Sequence, residues 1–248
     1  MPQSILLDII GDVHGCYPEL LALLAKLGYD VKHPHGNTPE ISHPEGRKPA
    51  FVGDFVDRGP DSPGVLKLVM HAVGQHRAFA VIGNHDDKLM RKLMGRNVQI
   101  NHGLDTTLAQ LEKEPPQFSI RVRRFLEMLP HLLWFDEQKL LIAHAGLPEK
   151  FHVPGSKRAR EMALFGPTSG KLDDFGLPQR INWAKDYMGK PFIVFGHTPV
   201  REPVLLNNTI NIDTGCVFGG KLTALRYPEM ETVSVTPEKL YAEPRRPF

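Results

Sequence analysis

The feature that most constrains this 248-residue chain is a set of five short apolar runs, each ending in a glycine-containing polar block. The blocks are residues 11–15 (GDVHG), 53–59 (GDFVDRG), 83–86 (GNHD), 144–146 (HAG) and 196–198 (GHT). In open α/β sheets, ligands bind beyond the carboxyl ends of the strands. Glycine beside a polar residue permits a tight turn and close approach of the backbone to a ligand. The pattern predicts an α/β fold in which five loops converge on one polar site.

Between the blocks, strand-like and helix-like patterns alternate. Pro18, at a first helical position, opens a helix whose leucines recur every three or four residues up to Gly28. A second helix begins at Ser62, and residues 86–129 have the pattern of a helical insertion. Apolar runs predict strands at residues 5–10, 50–52, 78–82, 132–135, 140–143, 192–195, 209–212, 222–227 and 232–235.

No internal repeat or low-complexity linker divides the chain, so we expect a single domain spanning residues 1–248. Residues 29–48 are rich in histidine, glycine and proline and are expected to form an exposed excursion. Residues 148–155 and 165–178 are expected to be irregular. The tail, residues 237–248, is expected to be loose and to add little to the core.

Composition excludes several classes of protein. A net charge of +2 with 41% apolar residues is typical of a globular protein and does not indicate a stable nucleic-acid partner. The first apolar run, residues 5–10, is too short for a signal peptide or a membrane span. Two cysteines, Cys16 and Cys216, do not make a disulfide framework. We therefore expect a cytoplasmic protein without a membrane partner.

The polar blocks together supply hard oxygen and imidazole donors suited to divalent metal ions. The candidate ligands are Asp12, His14, Asp54, Asn84, His144 and His197. Because the set contains no thiolate, it favours Mn, Fe, Co or Ni over a cysteine-rich zinc site. A pair of ions ~3.5–4 Å apart would activate water and clamp the attacking and leaving oxygens of a phosphate ester, with Asp54 as the bridging carboxylate. Each block alone is typical of an ordinary loop, so the prediction rests on their joint occurrence.

The order of the five blocks resembles the phosphoprotein-phosphatase branch of the calcineurin-like metallophosphoesterases. The resemblance implies a four-layer αββα sandwich with two mixed sheets. It implies two ions, with manganese as the expected metal. The first ion would be held by Asp12, His14 and Asp54. The second would be held by Asp54, Asn84, His144 and His197.

The same resemblance implies roles for residues around the metals. Arg58 would grip the phosphate oxygens together with Asn84. His85 would act as the general acid and Asp57 would orient it, while Asp213 is expected near the metals. Position 199 is proline where many phosphoesterases of this fold carry a second histidine, which argues against cyclic-nucleotide phosphodiesterases and nucleases. The family often has Glu at position 86 and Gly at position 145, where this chain has Asp and Ala.

Longer stretches resemble two bacterial groups. DRGPDSPGVLKLVM, NHGLDTTLAQLE, GHTPVREP and NNTINIDTGCVFGGKLTALRYPE look like PrpE-type asymmetrical bis(5′-nucleosyl)-tetraphosphatases and the phosphatase domain of bacterial polynucleotide kinase-phosphatase. These 248 residues contain no kinase or ligase-like module, so we expect the stand-alone tetraphosphatase. The resemblance implies that a bridging hydroxide cleaves a small phosphate substrate, diadenosine tetraphosphate, to ATP and AMP.

Three other functions stay open at this point. A protein Ser/Thr phosphatase or a polynucleotide 2′,3′-phosphatase would use the same metal core. A catalytically dead scaffold is disfavoured because it would not need the complete set of polar residues. Residues 215–221 (GCVFGGK) mimic a phosphate-binding P-loop, but Leu222 replaces the required Ser or Thr and a strand follows, so this interpretation is rejected.

Several polar or reactive residues outside the blocks have ordinary explanations. Nine basic residues are expected to be solvated, although a long polyphosphate would need some group beyond Arg58. They are Arg91, Lys92 and Arg96, then Arg121, Arg123 and Arg124 on a helix, then Lys157, Arg158 and Arg160 in a loop. His33, His35 and His43 are expected in a solvated loop. Cys16 and Cys216 each follow a glycine beside a block and are expected to lie close together as buried filler, with a redox pair as the alternative.

Overall fold

The computed structural model describes residues 5–35, 38–152 and 156–248. The strands are β1 (Leu7–Ile10), β2 (Asp30–His35), β3 (Thr38–Ser42), β4 (Lys48–Phe51), β5 (Phe79–Ala80), β6 (Leu132–Phe135), β7 (Leu140–Ala143), β8 (Thr168–Leu172), β9 (Pro178–Arg180), β10 (Phe192–Phe195), β11 (Val204–Leu206), β12 (Thr209–Asn211), β13 (Leu222–Tyr227) and β14 (Glu231–Val235). The α-helices are α1 (Tyr17–Leu27), α2 (Ser62–Gly74), α3 (Asn84–Leu93), α4 (Leu104–Leu111), α5 (Pro116–Met128) and α6 (Lys157–Phe165).

The first sheet has the strand order β14-β13-β1-β4-β5, and β1, β4 and β5 run parallel. The last residues of these parallel strands are in register, because Ile10 pairs with Phe51 and Phe51 pairs with Ala80. The first three polar blocks follow these strands directly or within two residues. The register therefore delivers all three blocks to one edge of the sheet.

The second sheet has the strand order β11-β12-β10-β7-β6, with β7, β10 and β12 parallel. Ile142 of β7 pairs with Val194 of β10, so these two strands also end side by side. The blocks at residues 144–146 and 196–198 follow them at once. Each sheet thus presents its polar blocks at the carboxyl ends of its parallel strands.

Apolar side chains of both sheets form the layer between them. Leu7 and Ile9 of β1 pack with Ile142 of β7 and Val194 of β10, and all four are fully buried. Helices α1 to α5 pack on the outer face of the first sheet, and α6 packs on the outer face of the second. This arrangement confirms the expected αββα sandwich with two mixed sheets.

Helix α1 shows how local sequence sets an element. Proline at its amino-terminal end fits a turn whose N–H groups have no helical partner. Its buried residues Leu20, Leu23, Leu24 and Leu27 lie on one face and pack on the first sheet. Gly28 ends the helix in the left-handed conformation, with φ of 97°. The expected helical insertion at residues 86–129 consists of α3, α4 and α5.

Several segments differ from the sequence predictions. The excursion at residues 29–48 contains the hairpin β2–β3, and Arg47 at its end is buried against Asp8. The stretch 165–178 contains β8, which pairs with β9, and the expected loop around Lys157 is helix α6. Strand β8 is exposed along its whole length, so its sequence lacks the apolar alternation that marks a strand. Residues 153–155 of the irregular stretch 148–155 lie outside the described residues.

The tail, residues 237–248, is packed against the domain instead of being loose. The backbone N–H of Tyr241 donates to Val217 O over 3.1 Å, and its hydroxyl donates to Glu19 over 2.8 Å. Arg246 pairs with Asp173 at 2.9 Å. Local periodicity does not reveal such a segment, because its proline-rich sequence has no regular structure and its anchors are distant in the chain.

No helix within the described ranges is long and apolar enough to cross a membrane.

Candidate metal centre

Side chains from both sheets meet at the carboxyl ends of the parallel strands. Asp54, which follows β4, is 1% exposed and lies between imidazoles contributed by the two sheets. Its Oδ2 is 3.5 Å from His14 Nε2 and 3.4 Å from His144 Nε2. The same carboxylate oxygen therefore faces two histidines whose positions in the chain differ by 130 residues.

The first cluster consists of His14, Asp54 and His85, and Arg58 lies against it. One ligand atom from each of the three lies within 4.8 Å of the others. His14 Nδ1 donates to Val56 O over 2.8 Å, which leaves a lone pair on Nε2. Arg58 donates to this Nε2 over 2.9 Å and to His85 Nε2 over 3.0 Å. The guanidinium thus places a positive charge beside the first cluster.

The second cluster consists of Asp54, His144 and His197, again with ligand atoms within 4.8 Å of one another. His144 Nε2 lies 2.9 Å from Asn84 Oδ1 and 3.0 Å from His197 Nδ1. Asn84 begins α3, and His144 and His197 follow β7 and β10. Four predicted ligands therefore share one small volume.

The hydrogen-bonding pattern of the second cluster fits a cation. His144 Nδ1 lies 3.0 Å from Val52 O, so it must be the donor and Nε2 must carry a lone pair. That lone pair then faces the side-chain oxygens of Asn84 and Asp54. When Asp54 is ionised, these acceptors converge without a proton between them and repel one another, whereas a divalent cation would be bound by all of them. Histidine with its other ring nitrogen tied to a backbone carbonyl is the usual form of a metal ligand.

Asp12 is placed differently from the other predicted ligands. Both of its carboxylate oxygens accept the backbone N–H of His197, at 3.2 and 3.0 Å. Among the described residues it belongs to neither three-residue cluster. Burial and the neighbouring charges of Asp213 and Asp54 hold the pKa of Asp12 well above its usual value. Asp12 and Asp213 therefore lie near the clusters, and their negative charges add to the demand for a cation.

Burial shifts the pKa values of the carboxyl groups and of the imidazoles of the centre in opposite directions. It raises the pKa of the Asp54 carboxyl well above its usual value, with the Asp86 charge adding to the effect. It lowers the pKa of His144 to about 3 and that of His197 well below its usual value. Both directions have the same cause, since a low-dielectric site disfavours any unpaired charge. A bound cation would reverse the effect on the carboxylate and leave the imidazoles neutral.

Asp57 and His85 form a hydrogen-bonded pair beside Arg58. His85 Nδ1 and Asp57 Oδ2 are 2.5 Å apart, and Asp57 is fully buried. The hydroxyl of Thr107, on α4, donates to the other Asp57 oxygen over 2.8 Å. Burial raises the pKa of Asp57 to about 7, against the lowering effect of Thr107 and Arg58. The sequence did not identify Thr107, because its place beside Asp57 depends on how α4 packs.

Asp86 has a structural role that the sequence also did not reveal. Its carboxylate accepts the backbone N–H groups of Asp54, Phe55 and Gly83 at 2.7 to 2.9 Å. The same side chain therefore joins the loop after β4 to the start of α3. Gly83 lets these segments approach closely, because a Cβ at this position would overlap Asp54.

The clusters open onto a cavity of about 840 Å³. Arg58, Arg180, Arg245 and Arg246 contribute to its lining. The nine basic residues expected to be solvated are not among the described residues that line it; Arg91 and Arg123 pair with acids on their own helices. The arginines beyond Arg58 come from β9 and the tail, where the sequence contains no motif.

The remaining sequence predictions have simple outcomes. Cys16 and Cys216 are buried free thiols, and their sulfurs lie within 4.8 Å of each other, so the expected proximity is confirmed. His33 is exposed and His43 is half-buried, with Nε2 3.2 Å from Leu27 O. The side chain of His35 lies outside the described residues.

Comparison with known proteins agrees with this geometry. Residues 5–233 match the family model described as calcineurin-like phosphoesterase. The chain is 50% identical to the PrpE asymmetrical bis(5′-nucleosyl)-tetraphosphatase of Anoxybacillus flavithermus, over 97% of this chain and 98% of that protein. It is 48% identical to the protein of the same name from Halalkalibacterium halodurans, over 92% of each.

Solved structures show the same fold. A candidate diadenosine tetraphosphatase superposes with a TM-score of 0.65 at 25% identity, over 95% of each chain. A Saccharomyces cerevisiae protein serine/threonine phosphatase superposes with a TM-score of 0.63 at 17% identity, over 96% of this chain and 81% of that one. The second likeness concerns the fold alone.

Proposed function

We propose, from the premise that this chain belongs to the calcineurin-like phosphoesterase family and is a metal-dependent phosphohydrolase, that its substrate is a dinucleoside polyphosphate cleaved asymmetrically. For diadenosine tetraphosphate the products are ATP and AMP. Relatives named for this activity are 46–50% identical over 92–97% of the chain. A cytoplasmic location belongs to the same proposal and is supported by the two free thiols.

The observation that carries the proposal is the position of the two clusters at one wall of a large cavity. His14, Asp54, Arg58 and His197 line the same cavity as the tail. At about 840 Å³ the cavity lies within the range of ~300–1,000 Å³ typical of sites for drug-sized ligands. A phosphate monoester alone would leave most of this volume empty, whereas a nucleotide with several phosphates would use it.

The family uses divalent metal ions, and the donor set fits two of them, manganese being the metal we propose. The ligands we propose are Asp12, His14, Asp54, Asn84, His144 and His197, with Asp54 shared. When bound, such ions supply Lewis acidity that activates water and neutralises phosphate charge. Their selection over zinc would follow from the absence of thiolates in the set.

The other polar residues bind and orient the phosphate. Arg58 has a planar guanidinium whose N–H groups donate to His14 and His85. In the substrate complex, phosphate oxygens would accept hydrogen bonds from these N–H groups in place of the two histidines. Asn84 would contribute a further polar contact. Asp213 is proposed only as a neighbour that adds negative charge near the ligands.

Once phosphate oxygens take over the Arg58 N–H group that now reaches His85 Nε2, this nitrogen would hold a proton and donate it to the leaving oxygen. Its Nδ1 is fixed by Asp57, whose second oxygen accepts from Thr107. These two hydrogen bonds therefore restrain the orientation of the imidazole ring. General acid catalysis of this kind contributes about 10²- to 10⁴-fold where the leaving group needs a proton.

The proposal is tested by comparing substrates with the manganese-loaded protein. The substrates are diadenosine tetraphosphate, a phosphoserine peptide and an RNA with a 2′,3′-cyclic phosphate end, and kcat/KM is measured for each. We expect the highest value for the first, with ATP and AMP as products on chromatography. Two molecules of ADP would contradict asymmetrical cleavage. A higher kcat/KM on the peptide or RNA would replace the proposal with a protein or polynucleotide phosphatase.

A further inference from the structure

The tail lines the cavity that opens from the metal centre. Tyr241, Arg245, Arg246 and Phe248 line the same cavity as His14 and Asp54. The segment is tied at both ends, by Tyr241 to Val217 and Glu19, and by Arg201 Nε donating to Phe248 O over 3.0 Å. Its side chains therefore have defined positions along one wall of the site.

The guanidinium groups of Arg180 and Arg246 both line the cavity. Arg180, at the end of β9, donates to Phe165 O over 2.7 Å. Arg246 pairs with Asp173 over 2.9 Å through one of its N–H groups. Burial and the charge of Arg246 lower the pKa of Arg180 to about 10. Two cations that repel each other beside a cavity are stabilised by an anion that accepts from both.

Two of the four carboxylates of the lining lie in the region of the proposed metal ligands. Four arginines line the cavity, together with the carboxylates Asp54, Asp105, Asp213 and Glu243. Asp54 and Asp213 belong to the region in which metal ions are proposed, so those ions would offset their charge. Among the remaining lining side chains, four arginines outnumber the two carboxylates, Asp105 and Glu243, and Arg246 has its ion-pair partner, Asp173, outside the lining.

The tail also supplies an aromatic surface. The Phe248 ring lies 6.0 Å from the Phe218 ring, and the Phe218 ring receives the Arg58 guanidinium at 5.2 Å. Phe248 packs so closely on Gly215 that a Cβ there would lie 2.6 Å from the ring. The ring is held in place by these contacts and is half-buried. A nucleobase can stack on such a ring without regard to its hydrogen-bonding pattern.

We propose that the tail is part of the substrate site: Arg246 and Arg180 bind phosphates distant from the cleaved phosphorus, and Phe248 stacks on the nucleobase beyond them. The inference rests on the proposed function and extends it. It assigns the preference for a long nucleotide over a phosphate monoester to residues 180 and 246–248. These residues lie outside all five polar blocks.

The test for Arg246 compares a long and a short substrate in the manganese-loaded full chain. We expect Arg246→Ala to lower kcat/KM on diadenosine tetraphosphate about ten-fold more than on p-nitrophenyl phosphate, mainly through KM, because a charge-assisted hydrogen bond is lost only with the longer substrate. An equal fall on both substrates, or no fall on either, would overturn the inference.

Two controls separate binding from folding and from general electrostatics. Asp173→Asn removes the ion pair of Arg246 but keeps the guanidinium, and its Oδ1 can still accept from Phe175 and Leu177. Arg123→Ala removes a guanidinium from α5, away from the cavity. We expect both variants to stay within about two-fold of the wild type on both substrates. Either control reproducing the Arg246→Ala ratio would refute the assignment.

Tripolyphosphate separates phosphate binding from stacking, since it has no base. Tripolyphosphate is used as an inhibitor of p-nitrophenyl phosphate hydrolysis, and it should bind about ten-fold more weakly to Arg246→Ala than to Phe248→Ala. The Phe248→Ala variant should instead show a raised KM for diadenosine tetraphosphate. Equal inhibition constants would contradict the proposed division of roles. If the wild-type protein hydrolyses p-nitrophenyl phosphate but no dinucleoside polyphosphate, the proposed function itself is wrong. If only the kcat/KM values of Arg246→Ala are unchanged, the proposed role of the tail is wrong and the proposed function stands.

Discussion

Five residues of the proposed centre have a left-handed backbone, which non-glycine residues rarely adopt. They are His14, Asp54, Asp57, Arg58 and His197, with φ between 45° and 77°. Each such conformation costs of order 1–3 kcal/mol and persists only where the surroundings enforce it. Here the backbone N–H of His14 donates to Asp54 O, and that of Asp57 donates to Thr107. These hydrogen bonds from neighbouring segments stabilise the strained backbone of the site.

At the residue scale, His85 is expected to matter most for poor leaving groups. His85→Ala should reduce kcat on an alkyl phosphate by about 10²- to 10⁴-fold and reduce it less on p-nitrophenyl phosphate, whose leaving oxygen needs no proton. Steady-state kinetics on the two substrates measure the ratio. His71→Ala, on the helix α2, is the matched control and should leave the ratio unchanged. Equal losses on both substrates would remove the acid role.

Asp54 is the residue whose loss should affect both metal sites. Asp54→Ala removes an oxygen that lies within 3.5 Å of both His14 and His144, so we expect both ions to be lost. Elemental analysis after gel filtration would count the metal per chain. Asp57→Asn is the comparison, because Asp57 contacts His85 and Thr107 and is expected to keep full occupancy. Two ions retained in Asp54→Ala would show that this carboxylate does not bridge.

At the element scale, Asp86 joins the loop after β4 to the amino-terminal end of α3. It accepts three backbone N–H groups although burial raises its pKa to about 7. Helix α3 begins at Asn84, so this junction fixes the positions of Asn84 and His85. A carboxylate three residues after the N-cap is a common way to satisfy the first N–H groups of a helix.

Asp86→Ala should therefore destabilise the protein. Hydrogen bonds to a charged group contribute about 1.5–3 kcal/mol each, but neighbouring losses are not additive, so we expect about 3–5 kcal/mol in the free energy of unfolding. Urea denaturation of the metal-free protein measures it. The adjacent Asp87 pairs with Arg91 on the helix surface, and Asp87→Ala should cost no more than about 1 kcal/mol. Similar values for the two variants would contradict the role given to Asp86.

At the scale of the whole molecule, the two sheets meet at a centre where acids and imidazoles are buried together. Burial raises the pKa of Asp12 and Asp54 well above their usual values and lowers that of His144 to about 3. In the metal-free protein the two carboxyls therefore retain protons to higher pH, and the imidazole is already neutral at pH 7. Bound metal requires ionised carboxylates and neutral imidazoles.

Metal binding should consequently release protons from the carboxyls and not from His144. The apparent affinity should rise with pH until the raised carboxyl pKa values are passed, by up to about ten-fold per pH unit for each proton released. Calorimetry of manganese binding in two buffers of different ionisation enthalpy counts the protons. Asp12→Asn, which keeps the shared Asp54 carboxylate, should release fewer protons than the wild type. An affinity and a binding heat that depend on neither pH nor buffer would contradict the raised carboxyl pKa values.

The sequence by itself indicated most of the elements and the residues proposed for the centre. The alternation of apolar runs and polar blocks predicts strands and helices because side-chain burial repeats every 2 or 3.6 residues. The glycine-flanked blocks indicated which residues would meet, because loops after parallel strands share one edge. Thus His14, Asp54, Asn84, His144 and His197 were identified without any knowledge of the packing. Asp12 was found too, although it contacts His197 N–H and joins neither three-residue cluster.

Only the tertiary structure decided what surrounds that centre. Thr107, Arg180, Arg246 and Phe248 contact the site or its cavity through the packing of α4, β9 and the tail, and no local pattern marks them. Strand β8 is exposed along its whole length and β9 is exposed except at Arg180, so the hairpin lacks the alternation by which a strand is recognised. The physical reason is the range of the interactions. The spacing of apolar residues shows which face of a single helix or strand packs on the core. It gives no information on side chains whose positions are set by partners far away in the chain.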